Sequence, residues 1–85
     1  MKQFYVEIVT TEGKAFEGNA EKLVLPTTEG PVCIMGGHID YFAKAERGEV
    51  RLVCDGKERR GDCLGGVVSV KGGQVSLVTV NFEWR

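Results

Sequence analysis

Short runs of alternating residues, each cut off by a glycine-bearing turn, set the tightest limit on what this chain can fold into. Phe4, Val6 and Ile8 alternate with Tyr5, Glu7 and Val9, the period-two pattern of a strand with one face turned inward. Thr11-Glu12-Gly13 breaks that run. An extended pattern resumes from Lys14 to Leu25, with a bulge or a change of sheet expected at Gly18-Asn19. Pro26 has no amide proton to give to a ladder, so the strand is expected to stop near it. Val32 to Met35 is a short apolar run between glycines, and Val50, Leu52 and Cys54 share one face of the next strand. Asp55-Gly56 is the signal of a type I′ hairpin, with residues 57 to 64 returning as its partner, weakened by Gly61. Gly66 to Lys71 and Gln74 to Asn81 form a further pair turning at Gly72-Gly73. The best helical candidate, IDYFAKAERG over residues 39–48, is too short to hold without tertiary support. Strands this short and turns this close predict an all-β sandwich or barrel. The twelve glycines serve the turns and the close sheet packing that such a fold needs.

With 85 residues the chain is one domain and its core is thin. The formal net charge is −1, and the densest basic cluster, Lys57-Glu58-Arg59-Arg60, contains an acid and reads as a solvated strand face. Nucleic acid and anionic lipid both require a basic excess on some surface, so neither is expected as a partner. No run approaches the roughly 20 apolar residues of a membrane span. Three cysteines, Cys33, Cys54 and Cys63, with no C-x-x-C spacing, suggest neither a disulfide framework nor a zinc module; a reducing cytoplasm fits best.

The residues with most chemical potential lie in LPTTEGPVCIMGGH, residues 25–38. Cys33 and His38, the only histidine, are five apart, and odd spacing puts side chains on opposite faces of a strand. Cys33, inside an apolar run, is expected to be a small buried hydrophobe. The glycine pairs Gly36-Gly37 and Gly65-Gly66 match no phosphate-binding pattern, and Phe4, Phe16, Tyr41 and Phe42 are not interleaved with Arg or Lys as a base-stacking surface would be. The reading from residues alone is a domain that supplies surface rather than chemistry, with no catalytic, cofactor or metal site expected.

Several segments in order carry a resemblance. Glu7-Ile8-Val9-Thr10-Thr11-Glu12-Gly13 and Phe16-Glu17-Gly18 are followed by Leu25-Pro26-Thr27-Thr28-Glu29-Gly30, Ile34 and Gly37-His38. Then come Gly48, Val50-Arg51-Leu52 and Asp55-Gly56, and finally Leu64-Gly65-Gly66-Val67-Val68-Ser69-Val70 and Val75-Ser76-Leu77-Val78. Together they resemble the N-terminal β-sandwich of the epsilon subunit of F-type ATP synthases, from residue 5 to about 79. The resemblance implies a flattened sandwich of about ten short, mostly antiparallel strands over residues 1–80, with 81–85 as a short tail. It implies a non-catalytic rotor-stalk subunit of a bacterial enzyme that touches the gamma subunit and the ring of c subunits. Such a subunit supports the coupling of ion translocation to ATP synthesis and meets the cytoplasmic face of the inner membrane only through the ring. Carried over, Glu29, Gly30, Pro31, Gly37 and His38 become a ring-facing rim, and apolar residues left on one sandwich face, with Phe82 and Trp84, become candidates for the gamma contact or for tail packing on the domain's own core. Pro31 stands where the family commonly has an acid, and Gly36 stands where it has a proline. The family's two C-terminal helices have no counterpart before Arg85, so helical inhibition and ATP sensing are expected to be absent. A free-standing epsilon-like adaptor outside the rotor is the alternative, and a small Cys33–His38 enzyme or metal protein is the third reading.

Overall fold

A computed structural model describes residues 3–37 and 40–85, and these residues form eight strands and no helix. The strands are β1 (Phe4–Thr10), β2 (Gly13–Ala20), β3 (Lys22–Thr27), β4 (Gly30–Met35), β5 (Tyr41–Cys54), β6 (Lys57–Lys71), β7 (Gln74–Thr79) and β8 (Phe82–Trp84). Their order is β2-β1-β7-β6-β5-β3-β4, with β8 paired to β6 off that path. All neighbours are antiparallel except β1 and β7.

The two long strands turn this path into a sandwich. The first part of β5 pairs with the last part of β6, from Tyr41↔Val70 to Ala45↔Gly66, and there β6 continues into β7 and β1. The second part of β5 pairs with the start of β6, from Arg47↔Leu64 to Cys54↔Lys57; β3 lies on the other side of β5 there, and β8 on the other side of β6. Counting β5 and β6 once in each layer gives the ten short segments that the resemblance implied, although only eight separate strands are present. The bend leaves Ala45 and Arg47 paired but skips Glu46. On β6 it falls at Gly65-Gly66, where a Cβ on Gly66 would lie 1.9 Å from the Val78 carbonyl oxygen.

Both layers bury one face around a shared core. Val6 and Ile8 from β1, Leu23 and Leu25 from β3, and Ile34 from β4 meet Val50 and Leu52 from β5, Val68 from β6 and Leu77 from β7. The alternation read from Phe4 to Ile8 is present, because those three residues are buried and Tyr5 and Glu7 are not. Asp55 at φ 52° and Gly56 at φ 73° form the I′ turn that their residue types require. Lys57-Glu58-Arg59-Arg60 is exposed throughout, as a solvated strand segment should be.

Three local expectations are corrected. The stretch proposed as a helix runs as strand β5 from Tyr41 onward. Ala43 and Ala45 point into the core with a period of two, and pairing with β6 outweighs the weak helical preference of alanine, lysine and glutamate. The change of sheet expected at Gly18-Asn19 follows just beyond it, between β2 and β3 at Glu21, but the bulge is not there, since Gly18 and Asn19 pair regularly with Val6 and Tyr5. The bulge lies at Ala15, left over between Ile8↔Phe16 and Val9↔Lys14. Gly61 leaves β6 unbroken, with pairs to Val50 and Trp84. A Cβ there would sit 2.5 Å from Cζ of Phe82, so the glycine makes room for the aromatic ring.

The proline placement follows from backbone parity. Pro26 stands opposite Pro31, and a pair without amide protons occupies a position where antiparallel strands exchange no hydrogen bonds. The missing donor of Pro26 faces β5, where the register shifts between Val24 and Thr27 and no ladder bond is lost. That of Pro31 faces the free side of β4. β3 therefore runs one residue beyond Pro26 before the turn.

Candidate functional site: two surfaces and an aromatic seam

The LPTTEGPVCIMGGH segment forms β3, a tight turn and β4. Thr27 builds the turn: its hydroxyl donates to the Gly30 carbonyl at 2.6 Å and accepts from the Glu29 amide at 3.1 Å. Glu29 and Pro31 are exposed beside Gly30. Gly37 lies at the other end of β4, about 17 Å away at the rise of an extended chain. His38 is outside the described residues. The expected rim is thus divided: Glu29, Gly30 and Pro31 come together, and Gly37 does not join them.

The end that carries Glu29 gathers residues that sequence separation had hidden. Thr28 donates its amide to the Lys44 carbonyl, which sets the turn beside the β5 bend at Glu46 and Arg47. Thr11 donates its hydroxyl to the Val80 carbonyl, and the Leu64 amide donates to the Asn81 carbonyl. Glu12, Glu29, Glu46 and Arg47 therefore share one end with the exposed apolar side chains Leu64 and Val80. No local sequence signal joins these five segments; only the two bends do.

The second surface is the outer face of the β1-β7-β6-β5 layer. Val9, Val78 and Val67 stand in one row across three strands. Phe42, 73% exposed, is in the next row opposite Ser69, beside a shallow hollow of about 350 Å³ lined by Phe42, Ser69 and Lys71. The row ends in charge at the far side, where Lys14 bridges Glu7 and Glu17 at 3.0 and 2.9 Å. The Glu17 carboxylate also accepts from the Tyr5 hydroxyl. That bond and then Lys14 hold the Glu17 carboxyl below its usual range, and the same bond pushes the Tyr5 phenol up.

The third feature closes the sandwich. The side chain of Phe82 is buried, and Trp84 is half-buried against it with ring centroids 4.8 Å apart. Trp84 donates its indole N–H to the Ala15 carbonyl at 3.1 Å, at the β2 bulge, and the Arg59 guanidinium lies 3.9 Å from the centre of its ring. Residues 82–84, read as part of a tail, thus form strand β8 on β6, with both aromatics held on the domain's own cluster. Arg85 pins this strand through Asp62 and Glu49, each at 2.6 Å. Its hydrogen bonds hold the Asp62 carboxyl below the usual carboxylate range. A carboxyl with a lowered folded-state pKa contributes stability above its unfolded pKa of about 4 and loses it as pH falls through the lower folded value. Asp62→Asn is therefore expected to reduce the loss of thermal stability on acidification from about pH 4 downward, a small effect because both partners are half exposed. Melting curves over that range check it.

The cysteines do not converge. Cys33 is exposed on β4 rather than buried, because Ile34 takes the inward position and strand parity turns its neighbour out. Cys54 is half-buried, with Sγ donating to the Asn19 carbonyl at 3.3 Å, and burial pushes its thiol up. Cys63 is buried, with Sγ donating to the Glu46 carbonyl at 3.3 Å. Among the described residues no group of three metal-ligating side chains forms. A thiol reagent applied to the folded chain is expected to modify Cys33 at least about tenfold faster than Cys54, with Cys63 reacting only on unfolding. Peptide mapping at timed quenches reads the order.

This arrangement of two layers joined through bent central strands has known counterparts. A family model described as the ATP synthase delta/epsilon chain β-sandwich domain matches residues 3–85. The chain belongs to that family. The ATP synthase epsilon chain of Ruminococcus albus is 35% identical over 85 residues, covering 99% of this chain and 63% of that one. The ATP synthase epsilon chain 1 of Methylococcus capsulatus is 38% identical over 80 residues, covering 93% and 55%. Family members of this kind are thus longer, and the present chain spans under two thirds of their length. In structure, the sandwich matches a chain of the Euglena gracilis mitochondrial ATP synthase, OSCP/F1/c-ring, at a TM-score of 0.92 and 18% identity, covering 99% of this chain and 54% of that one. A chain of the Tetrahymena thermophila central stalk and c-ring matches at 0.78 and 13%, covering 92% and 63%. These two likenesses establish the fold. Among the described residues no helix is long and apolar enough to cross a membrane.

Proposed function

We propose that this delta/epsilon-family sandwich is a non-catalytic central-stalk subunit of a bacterial F-type ATP synthase. It is held between the gamma subunit and the c-ring at the cytoplasmic face of the inner membrane. The observation that carries the reading is the match of residues 3–85 to the family's sandwich domain, joined to a surface with no convergent catalytic geometry among the described residues.

On this reading the work is mechanical. β5 and β6 run through both layers, so the layers cannot slide past one another without breaking continuous ladders. A force applied at one end is carried through a close-packed core to the other. The Glu29–Pro31 turn, with Glu12, Glu46, Leu64 and Val80 around it, is the end assigned to the ring's polar loops. The Val9-Val78-Val67 row with Phe42 is the face assigned to gamma, because an uncharged centre with an aromatic residue is what interface cores are made of. Phe82 and Trp84 support that assembly from within, as the closure of the seam. Affinity capture of the tagged chain from its native membranes, followed by mass spectrometry, tests the proposal. Recovery of gamma and c subunits in stoichiometric amounts is expected, and recovery of neither contradicts it.

A further inference from the structure

β4 ends the strand order, and among the described residues no backbone group pairs with its outer side. The opposite end of the strand order is treated differently: the β2 edge is met by the Trp84 indole at Ala15. Natural sheets usually blunt such edges with charge, bulges or cover. β4 has one blunting device, Pro31, and no Asp, Glu, Lys or Arg from Gly30 through Gly37.

Parity says which groups the edge offers. Because Pro26 faces Pro31, the pairs at Leu25↔Val32 and Leu23↔Ile34 carry the bonds to β3. The backbone groups of Pro31, Cys33 and Met35 therefore point outward. The edge presents three carbonyls and two amide donors, those of Cys33 and Met35.

We infer that β4 is a self-pairing edge, on which two copies of this chain join antiparallel about a two-fold axis through Cys33. In that register Cys33 exchanges two hydrogen bonds with Cys33 of the second copy, and each Met35 amide donates to the Pro31 carbonyl across the axis. Both outward donors of each copy are satisfied, and the donor that proline lacks is not needed. The side chains agree with the backbone. Val32 falls opposite Ile34, Cys33 opposite Cys33 and Pro31 opposite Met35, so every cross-strand pair is apolar, which favours pairing. Val32, half-buried in one copy, is covered in two. Glu29 falls opposite Gly37, so no like charges meet along the strand. Two half-sandwiches then share one continuous sheet. The contact is short and small for a protein interface, so the dimer is weak and concentration-dependent. The inference is separate from the face assigned to gamma, which lies on the opposite layer, and it meets the end assigned to the ring at the Glu29–Pro31 turn that opens β4.

Sedimentation equilibrium on the 85-residue chain, from tens of micromolar to about one millimolar, tests it under reducing conditions. A monomer–dimer equilibrium is expected, together with cross-linking of Cys33 to Cys33 by a short bis-maleimide at the upper concentration. Cys33→Pro removes the outward amide without touching a bond to β3, and Cys33→Lys sets like charges on the axis while leaving the inward face intact. Each variant is expected to lower dimer formation at least about tenfold; if the proline variant does not fold, the lysine variant decides. A chain that stays monomeric throughout overturns the inference, as does a dimer that either folded variant leaves unchanged.

Discussion

Gly66→Ala is expected to remove about a third or more of the domain's stability. The position has φ +145°, outside the range side-chain-bearing residues adopt readily, and a Cβ there would sit 1.9 Å from the Val78 carbonyl oxygen and 2.9 Å from the Cα of Thr79. The obstacle is backbone of the central strand β7, not the tip of a flexible side chain. Relief requires β6 and β7 to part where Thr79 donates its hydroxyl to the Gly65 carbonyl, beside the bend that joins the two layers. Backbone strain and overpacking each cost about 1–3 kcal/mol, so a loss of about 3 kcal/mol or more is expected against a total of about 5–10 for a domain of this size. Gly72→Ala is the control. Its φ is +56° and nothing lies within 4 Å of the added atom, so it costs about 1 kcal/mol. Urea unfolding of both variants measures the difference, and equal midpoints would refute the close approach at β6 and β7.

Val78→Asp is expected to disable the face assigned to gamma without disabling the fold. Val78 is 51% exposed at the middle of the Val9-Val78-Val67 row. Its side chain points away from the core, and aspartate in a strand costs about 1 kcal/mol or less at a solvated site. Under a docked partner the same carboxylate would be desolvated without a cation on a neighbouring strand, since the Lys14 ammonium is engaged by Glu7 and Glu17 and Lys44 lies two strands away beyond Val67. An unpaired charge at an interface core costs about 2–5 kcal/mol, which corresponds to a loss of about 30-fold or more in affinity for gamma. Glu83→Ala, on exposed β8 in the opposite layer, is expected to change that affinity less than about threefold. Titration calorimetry of the two variants gives the contrast, and similar affinities would remove this face from the interface.

What the sequence disclosed, and what it withheld, follows from the range over which each signal acts. The turns at Asp55-Gly56 and Gly72-Gly73 were legible because positive φ is a local demand met by particular residue types. The inward run Phe4-Val6-Ile8 was legible because alternation is local too. Residues 41–46 were not, since Ala43, Lys44, Ala45 and Glu46 suit a helix by themselves and only the pairing of Ala43 with Val68 makes them strand. Cys33 was misplaced because a continuous apolar run shows no face until a partner strand fixes its parity. Glu29 and Gly37 looked like one rim because eight positions of sequence hide the length of a strand. Glu12, Glu46, Leu64 and Val80 escaped notice because only the bends at Glu46 and Gly65-Gly66 carry them to the same end as Glu29.

The proposal that this chain is a stalk subunit stands most directly on its binding to gamma. The purified chain, titrated into the purified gamma subunit from the same source, is expected to bind at a ratio of one to one with a dissociation constant at or below the micromolar range, and to co-elute with gamma in size-exclusion chromatography. A folded chain that gives no binding heat and elutes apart from gamma at tens of micromolar would contradict it.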